Sequence, residues 1–382
     1  MKKNISENII FVLTALFLSR LFTAICCLMC SHHLFYYGDF SKWDAGLYIE
    51  IAQRGYTLIS CAELVGKSNP EQWCGNSGWM PFYPYLIKMV SFTGLDIRLS
   101  GFLISLFFQS ATLYLIADFF LAETKQLKKL LILVCCTLFF GGIYYQAVFP
   151  VSMFLFFMMI HLYFLIRDKL FKACLFGAAA AFTYPSALWI AIVTPLFLFL
   201  YNFKKINKNV ITQIFFCCFS ICLGFGLMML IQKMQTGRWN AFFLVQDKYG
   251  HGINIPTKYI RKNFETLLEL KHFQFKNWID IQTNCVLFYF IFCLILVFAK
   301  RKYFFSETNK PLSLFLLLYL LVFYLFPLSM GHSLSLYRAE SLLMPSVLLL
   351  RNTSYVFILL FILILATIAF FMNQLFFLNI LV

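Results

Sequence analysis

Long runs of apolar residues follow one another along almost the whole of this 382-residue chain, and they constrain its fold more than any other feature. A membrane core about 30 Å thick needs roughly 20 apolar residues for a helix to cross it. Backbone groups in lipid must be bonded within the segment, which selects helices. The sequence therefore predicts an all-α polytopic membrane protein, a single membrane domain over residues 1–382. About eleven transmembrane helices are expected, near 8–30, 98–121, 129–147, 150–166, 170–182, 184–201, 210–231, 284–299, 311–329, 337–350 and 353–372.

Composition supports this class, since 62% of the residues are apolar and only 12% are charged, against roughly 25% charged residues in a soluble domain. The net charge of +15 comes from short Lys and Arg clusters between apolar runs and not from one basic patch, so no nucleic-acid partner is expected. Basic loops face the cytoplasm. Alternating the spans from a cytoplasmic N-terminus puts these clusters on one side and the long loops, 31–97 and 232–283, on the other.

Residues 81–92 are also apolar, but counting them as a twelfth span would place the next basic cluster, Lys125 to Lys129, outside and invert every later loop. We therefore expect this segment to lie in the outer interface. The only Asn-x-Ser/Thr matches, at Asn4 and Asn352, fall on the cytoplasmic side. This favours a bacterial inner membrane with a site facing the periplasm, the endoplasmic reticulum membrane being the alternative.

The polar segment 39–56 follows the first apolar run and brings carboxylates to the membrane boundary, where chemistry is most accessible. From Asp44 onward its apolar residues recur at helical spacing, and Gly55 is a typical helix C-cap. Two interpretations of Asp44 follow. It is either an N-cap that accepts backbone N–H bonds or a catalytic carboxylate, and the two roles are compatible.

Four motifs in order carry a family resemblance. The first motif is Trp43-Asp44 with Tyr48, Ala52 and Gly55-Tyr56, and the second is Pro81-Phe82-Tyr83-Pro84. The third is Thr236-Gly237-Arg238 with Ala241-Phe242, Gln246, Tyr249 and Gly250, and the fourth is Ser335-Leu336-Tyr337-Arg338 with Pro345. Together they resemble the signatures of the PIG-V-like mannosyltransferases of the glycosyltransferase C (GT-C) superfamily. All four are expected on the outer face. The chain departs from the family at Ser152, where the family has a Ser-Glu pair, and at Tyr184, where it has Arg-Pro.

The resemblance implies a GT-C-like fold and an inverting transferase that moves a hexose, mannose in the family, from a polyprenyl-phosphate donor to a hydroxyl of a glycan or glycolipid acceptor. Such chemistry needs a carboxylate base for the attacking hydroxyl and a cation for the leaving phosphate. Asp44 is the predicted base and Arg338 the predicted phosphate partner. Trp43, Tyr48, Tyr83 and Gln246 are predicted substrate contacts, with membrane anchoring as the alternative for the aromatic residues.

Further candidates are Asp39, a second candidate base, and Arg20, which lies two-thirds along the first span. Arg20 either forms a structural bridge, with Asp39 as the candidate partner, or contacts the carrier phosphate. His332, on the outer face, binds phosphate or acceptor or is simply solvated. The thirteen cysteines do not form the complete four-ligand Cys/His pattern of a zinc site, so no metal ligands are assigned, and the need for a divalent ion is left open.

Cys61 and Cys74 share the first outer loop, on the oxidising side of the membrane. Their separation closes a short loop, and a disulfide there would contribute on the order of 3 kcal/mol by loop closure. We therefore predict this disulfide.

Two other functions compete with the transferase. A transporter or lipid flippase also places polar groups among many spans, but it usually carries ionisable residues or broken helices near the bilayer midplane. The other is a catalytically inactive GT-C-like scaffold, which the departures at Ser152 and Tyr184 permit.

Overall fold

A computed structural model describes residues 5–31, 36–65, 72–203, 206–249, 274–330 and 336–381, together with isolated positions between 255 and 268. For Ser31, Leu64 and Val65 only the backbone is described. About 80% of the structure is helical. The protein is thus an α-helical, membrane-embedded chain.

The α-helices are α1 (Ile5–Ser31), α2 (Ala45–Arg54), α3 (Cys61–Val65), α4 (Phe82–Ser91), α5 (Ile97–Leu115), α6 (Gln126–Leu138), α7 (Val151–Ile166), α8 (Leu170–Thr183), α9 (Ile190–Tyr201), α10 (Lys208–Thr236), α11 (Ala241–Asp247), α12 (Trp278–Ala299), α13 (Arg301–Phe304), α14 (Lys310–Ser329), α15 (Leu336–Ala339) and α16 (Tyr355–Phe377). Segments of 3₁₀ helix cover Tyr37–Phe40, Gly142–Tyr145, Pro185–Trp189, Phe275–Asn277 and Glu340–Asn352, and Ile116–Phe120 is a π-helical turn.

By length and composition, α1, α5 with its π turn, α10, α12, α14 and α16 can each cross a membrane. The polytopic architecture predicted from the sequence is therefore confirmed. The other five predicted spans are helical too, but their helices are shorter, such as α7 and α8 with 16 and 14 residues. Eleven crossings and the GT-C arrangement stay predictions.

The predicted span 337–350 forms α15 followed by the 3₁₀ segment Glu340–Asn352, which has 13 residues. A 3₁₀ helix rises about 2.0 Å per residue, so this segment extends about 26 Å, close to the thickness of the hydrocarbon core. Residues 340–351 are all buried. The weaker backbone geometry is sheltered by α6, α7, α12 and α14, which pack around it.

Basic clusters that the sequence assigns to one side of the membrane do meet at one end of the structure. Lys128 Nζ donates to the Thr353 carbonyl at 2.8 Å, and Lys300 Nζ donates to the Asn352 carbonyl at 2.7 Å. These contacts lie at the C-terminal end of the buried 3₁₀ segment, whereas Arg338 precedes its other end. The relative sidedness of these loops is therefore consistent with the prediction.

The first long loop folds as a compact unit that holds α2 and α4. Strands β1 (Leu58–Ser60) and β2 (Trp73–Gly75) pair antiparallel, a small departure from the all-α expectation. The predicted disulfide between Cys61 and Cys74 is present and closes this pair. With ten residues, α4 rises only about 15 Å, too little to cross the membrane, as the topology argument requires.

Candidate functional site

Asp44 and Arg338 form an ion pair although 294 positions separate them in the sequence: Arg338 Nη1 donates to Asp44 Oδ2. The two side chains keep 24% and 21% of their surface exposed, respectively. A pair that is neither fully solvated nor fully enclosed retains strong electrostatics and access for a ligand. The structure thus joins the two residues that the sequence predicts as base and phosphate partner.

The side chain of Asp44 does not cap α2. Asp44 occupies the N-cap position of α2, but its side chain makes no capping hydrogen bond. Only its backbone carbonyl acts in the helix start, accepting from the N–H groups of Leu47 and Tyr48. The carboxylate is therefore directed to Arg338.

Backbone strain accompanies this placement. Trp43, immediately before Asp44, has a φ of 55°, a left-handed conformation that non-glycine residues rarely adopt and that costs on the order of 1–3 kcal/mol. Its side chain is 41% exposed. Trp43 is thus the accessible aromatic surface beside the carboxylate, as expected of a substrate contact.

Arg338 is held in place by a network that the sequence did not reveal. Gln282 Nε2 donates to the Tyr337 carbonyl at 3.1 Å and to Glu340 Oε2 at 2.6 Å, and Gln282 Oε1 accepts from the Gly141 N–H at 3.2 Å. Gly141 has φ +66°, and a Cβ there would lie 2.7 Å from the Tyr337 carbonyl oxygen. Only glycine fits this close approach to α15.

Several tyrosine phenols lie within electrostatic range of the ion pair. The charges of Asp44 and Arg338 act on the phenols of four tyrosines from different parts of the chain: Tyr48, Tyr144, Tyr184 and Tyr249. Phe149 lies beneath Arg338, with the guanidinium carbon 5.6 Å from the ring centroid. Phenols both donate and accept hydrogen bonds. This rim is suited to sugar hydroxyls and phosphate oxygens.

Two of these tyrosines lie outside the helices that can cross a membrane: Tyr48 in α2 and Tyr249 after α11. Burial, followed by the phenol of Tyr184 and the negative charge of Asp44, raises the pKa of Tyr48 well above its ordinary value. Burial and the charge of Asp44 also raise the pKa of Tyr249, while Arg338 opposes the shift. Both phenols therefore stay protonated at neutral pH, as hydrogen-bond donors must.

Other predicted substrate contacts have structural roles. Tyr83 is fully buried, and its hydroxyl bonds to the Gly101 carbonyl at 2.9 Å and to Ser105 Oγ at 2.8 Å. A ring enclosed by the core offers no face to a sugar, so the structure gives no support to the prediction of Tyr83 as a substrate contact. The Tyr48 ring, 3% exposed, packs edge-on against Tyr83 and Phe149. Only the hydroxyl end of Tyr48 is directed to the ion pair.

Gln246 links the two long loops, because its Nε2 donates to the Gly78 carbonyl at 2.8 Å. The Gly-Tyr portion of the first motif is likewise structural. Gln235 Oε1, at the end of α10, accepts from the Tyr56 N–H at 2.7 Å and lies 2.7 Å from where a Cβ on Gly55 would be. These contacts fix the loop that carries Asp44.

The bridge considered between Arg20 and Asp39 is not formed. Arg20 Nη2 instead donates to Gln109 Oε1 at 2.9 Å, and Asp39 Oδ2 accepts from Cys27 Sγ at 3.7 Å. Asp39 is thus engaged away from Arg338, which weakens it as a second candidate base. His332 lies outside the described residues.

The two departures from the family pattern differ in the structure. Ser152 is buried, and its hydroxyl donates to the Tyr145 carbonyl at 2.7 Å, a role within the fold. Tyr184, in contrast, lies within electrostatic reach of Asp44 and Arg338. A neutral phenol therefore borders the ion pair at this position.

Neither a scan against models of protein families nor a search of curated proteins finds a match for this chain. Within the described part of the chain, no three His, Cys, Asp or Glu side chains are grouped so that they could hold a metal ion. What the site does must therefore be argued from its own chemistry.

Proposed function

We propose that this protein is an integral-membrane glycosyltransferase of the GT-C type. It transfers a hexose, mannose by the family resemblance, from a polyprenyl-phosphate donor to an acceptor hydroxyl on the extracytoplasmic face, in a bacterial inner membrane. The single observation that carries the proposal is the meeting of Asp44 with Arg338. One carboxylate and one guanidinium at a half-open rim are the groups that such a transfer requires.

In the proposed reaction the acceptor oxygen attacks the anomeric carbon from the face opposite the phosphate. The bond between that carbon and the phosphate oxygen breaks, and its electron pair stays on the phosphate. The acceptor proton passes to Asp44, the general base. Arg338 stabilises the charge that develops on the leaving phosphate. One displacement at carbon gives inversion.

The resting ion pair gives a physical reason for ordered activation. A phosphate competes with a carboxylate for a guanidinium because both accept charge-assisted, paired hydrogen bonds. Donor binding would therefore draw Arg338 toward phosphate and release an oxygen of Asp44 for the acceptor. Trp43 would cover the sugar face, and the phenols of Tyr184 and Tyr249 would bond to its hydroxyls.

The experiment is a donor panel. Purified protein in lipid nanodiscs receives radiolabelled polyprenyl-phosphate mannose, glucose, galactose or arabinose, together with membrane lipid extract as the acceptor source. The proposal predicts consumption of one hexose donor and a labelled product of inverted configuration. A folded protein that consumes none of these donors with any acceptor fraction would contradict it.

A lipid or ion transporter is the second candidate, because Arg20 lies deep within a predicted span, where transporters often keep ionisable groups. Flux across proteoliposomes separates the two functions. Transport of a fluorescent lipid that survives Asp44→Asn would favour the transporter.

A further inference from the structure

Two lysine side chains from different helices meet at the C-terminal end of the buried 3₁₀ segment. Lys128, in the first turn of α6, donates to the Thr353 carbonyl at 2.8 Å, and Lys300, directly after α12, donates to the Asn352 carbonyl at 2.7 Å. The two acceptors are consecutive in the chain, so the two ammonium groups lie beside each other. Each ammonium group has three N–H donors, and these contacts use one of them.

A third lysine adds to this local positive charge. The charges of Lys300 and Lys125 both act on the ammonium group of Lys128. Lys125 is the N-cap residue of α6, and its side chain makes no capping hydrogen bond, so the positive end of the helix dipole is added to the three lysines. Like charges held this close repel each other, and a bound anion would relieve the repulsion.

Carboxylates at this end of the protein are engaged elsewhere or exposed. The charges of Asp118 and Glu7 act on the neighbouring residue Lys129, which is buried. Glu123 and Glu307 are exposed in the adjoining loops, and neither takes part in an ion pair within the described part of the chain. The positive charge of the lysine cluster is thus left for an external anion.

Exposed apolar side chains lie next to the lysines on the same helices. Leu127 on α6 is 60% exposed, Phe298 on α12 is 74% exposed and Val356 on α16 is 66% exposed. The rings of Phe292 and Phe357 stack with their centroids 4.4 Å apart, which places α12 against α16. A cluster of positive charges that continues into an apolar surface matches the chemistry of an anionic phospholipid.

We infer that Lys125, Lys128 and Lys300 bind the phosphate group of an anionic phospholipid, in the membrane leaflet at this end of the protein. Phosphate oxygens accept charge-assisted hydrogen bonds from the ammonium donors that the two carbonyls leave over. The acyl chains cover the apolar side chains of Leu127, Phe298 and Val356, which a soluble phosphate would leave uncovered. The lipid thereby holds the start of α6 and the end of α12 against the end of the 3₁₀ segment.

The test compares thermal unfolding in nanodiscs of phosphatidylcholine with unfolding in nanodiscs of phosphatidylcholine and phosphatidylglycerol in equal parts. Phosphatidylglycerol is expected to raise the wild-type Tm by on the order of 2 °C, the shift for a tenfold excess over the dissociation constant in a chain of this size. Native mass spectrometry of protein released from the mixed nanodiscs should show retained phosphatidylglycerol in preference to phosphatidylcholine.

Lys128→Gln combined with Lys300→Gln is the decisive variant, because glutamine can still donate to the two carbonyls but carries no charge. It should lose both the response to phosphatidylglycerol and the retained lipid, whereas Lys128→Arg combined with Lys300→Arg should keep both. Lys125→Gln removes a charge without removing a contact to a carbonyl, and it should weaken the response. Each protein is compared with itself in the two nanodiscs, so a lower Tm in both does not affect the result.

The matched control is Lys169→Gln combined with Lys208→Gln, which removes the same charge from two exposed positions and should respond as the wild type does. A second control adds glycerol phosphate to phosphatidylcholine nanodiscs, and no stabilisation is expected.

Four results would overturn the inference: a wild-type Tm that is the same in both nanodiscs, an undiminished response in the Lys128 and Lys300 glutamine variant, an equal loss in the control variant, or full stabilisation by glycerol phosphate. The third result would reduce the effect to net charge, and the fourth would assign the cluster to a soluble phosphate. None of these readouts depends on sugar transfer.

Discussion

Two arginines border the same buried 3₁₀ segment, and their surroundings differ. Arg338, just before its first residue, pairs with the carboxylate of Asp44 and is 21% exposed on its side chain. Arg351, near its last residue, is 8% exposed and donates only to neutral acceptors: the Leu348 carbonyl at 3.1 Å, Asn309 Oδ1 at 3.2 Å and Ser313 Oγ at 3.0 Å.

This difference separates a site from a structural contact. The bonds of Arg351 are satisfied by groups that hold the end of the segment, and the aromatic rings of Tyr303 and Phe304 cover it. Arg338 keeps an exposed partner that a phosphate can replace. Charge alone does not identify a functional arginine in a membrane protein. In the proposed mechanism, the half-open carboxylate that a phosphate can displace does.

The largest effect is expected from Arg338→Ala. Sugar transfer should fall about 10²–10³-fold, because the charge on the leaving phosphate loses its partner. In Arg338→Lys the rate of sugar transfer should fall less, since lysine keeps the charge but not the planar, bidentate guanidinium. The measurement is the transfer rate with saturating donor, with Arg351→Met as the comparison. Equal losses of transfer in the Arg338 and Arg351 variants would show that the two arginines do not differ in function.

Arg351→Met should act on stability and not on chemistry. Loss of three hydrogen bonds from a charged donor is expected to lower the free energy of unfolding by about 2–3 kcal/mol. Transfer per folded molecule should remain unchanged. Denaturant titration with a parallel activity assay checks both parts, and Arg301→Met, at an exposed position, should lie within about 0.5 kcal/mol of wild type.

Gln282→Leu should lower transfer about tenfold, because Arg338 is misplaced when the bonds to Tyr337, Glu340 and Gly141 are lost. The loss should appear in the transfer rate per folded molecule, measured at saturating donor. Gln126→Leu removes an exposed amide that bonds to Glu7 at 3.0 Å and should have no effect. Wild-type rates in Gln282→Leu would show that this network does not position Arg338.

Tyr249→Phe should have the smallest effect, about a threefold weaker apparent affinity for the donor, the expected value for one neutral hydrogen bond. The rate at saturating donor should barely change. The control is Tyr36→Phe, at an exposed position. If the two variants have identical affinities, the Tyr249 hydroxyl does not contact the sugar.

Much of the fold follows from local patterns. Apolar length predicts the long helices, and the helical spacing of Leu47, Tyr48, Ile51 and Ala52 predicts α2, whose buried residues are Ala45, Tyr48, Ile51 and Ala52. The Cys61–Cys74 disulfide follows from a short separation on one side of the membrane. The order of the motifs predicts that Asp44 and Arg338 belong to one site.

Other features arise only from packing between distant segments. Gln282 lies at the end of the predicted loop 232–283, where the sequence gives no sign of a contact with Tyr337 or Gly141. An apolar run near 337–350 does not distinguish an α-helix from a sheltered 3₁₀ helix. In sequence, Tyr83 cannot be told apart from an aromatic residue that contacts substrate at the membrane interface. Its buried bond to Ser105 is set by α5.

Asp44→Asn tests the central claim most directly, because it keeps the size of the side chain and a hydrogen-bond acceptor for Arg338 but removes the base. In a single-turnover assay with polyprenyl-phosphate hexose, we predict a fall in transfer of about 10²–10⁴-fold with donor binding retained. Asp39→Asn, in the same loop, should transfer at close to the wild-type rate. Full activity in Asp44→Asn, or a loss confined to Asp39→Asn, would contradict the account.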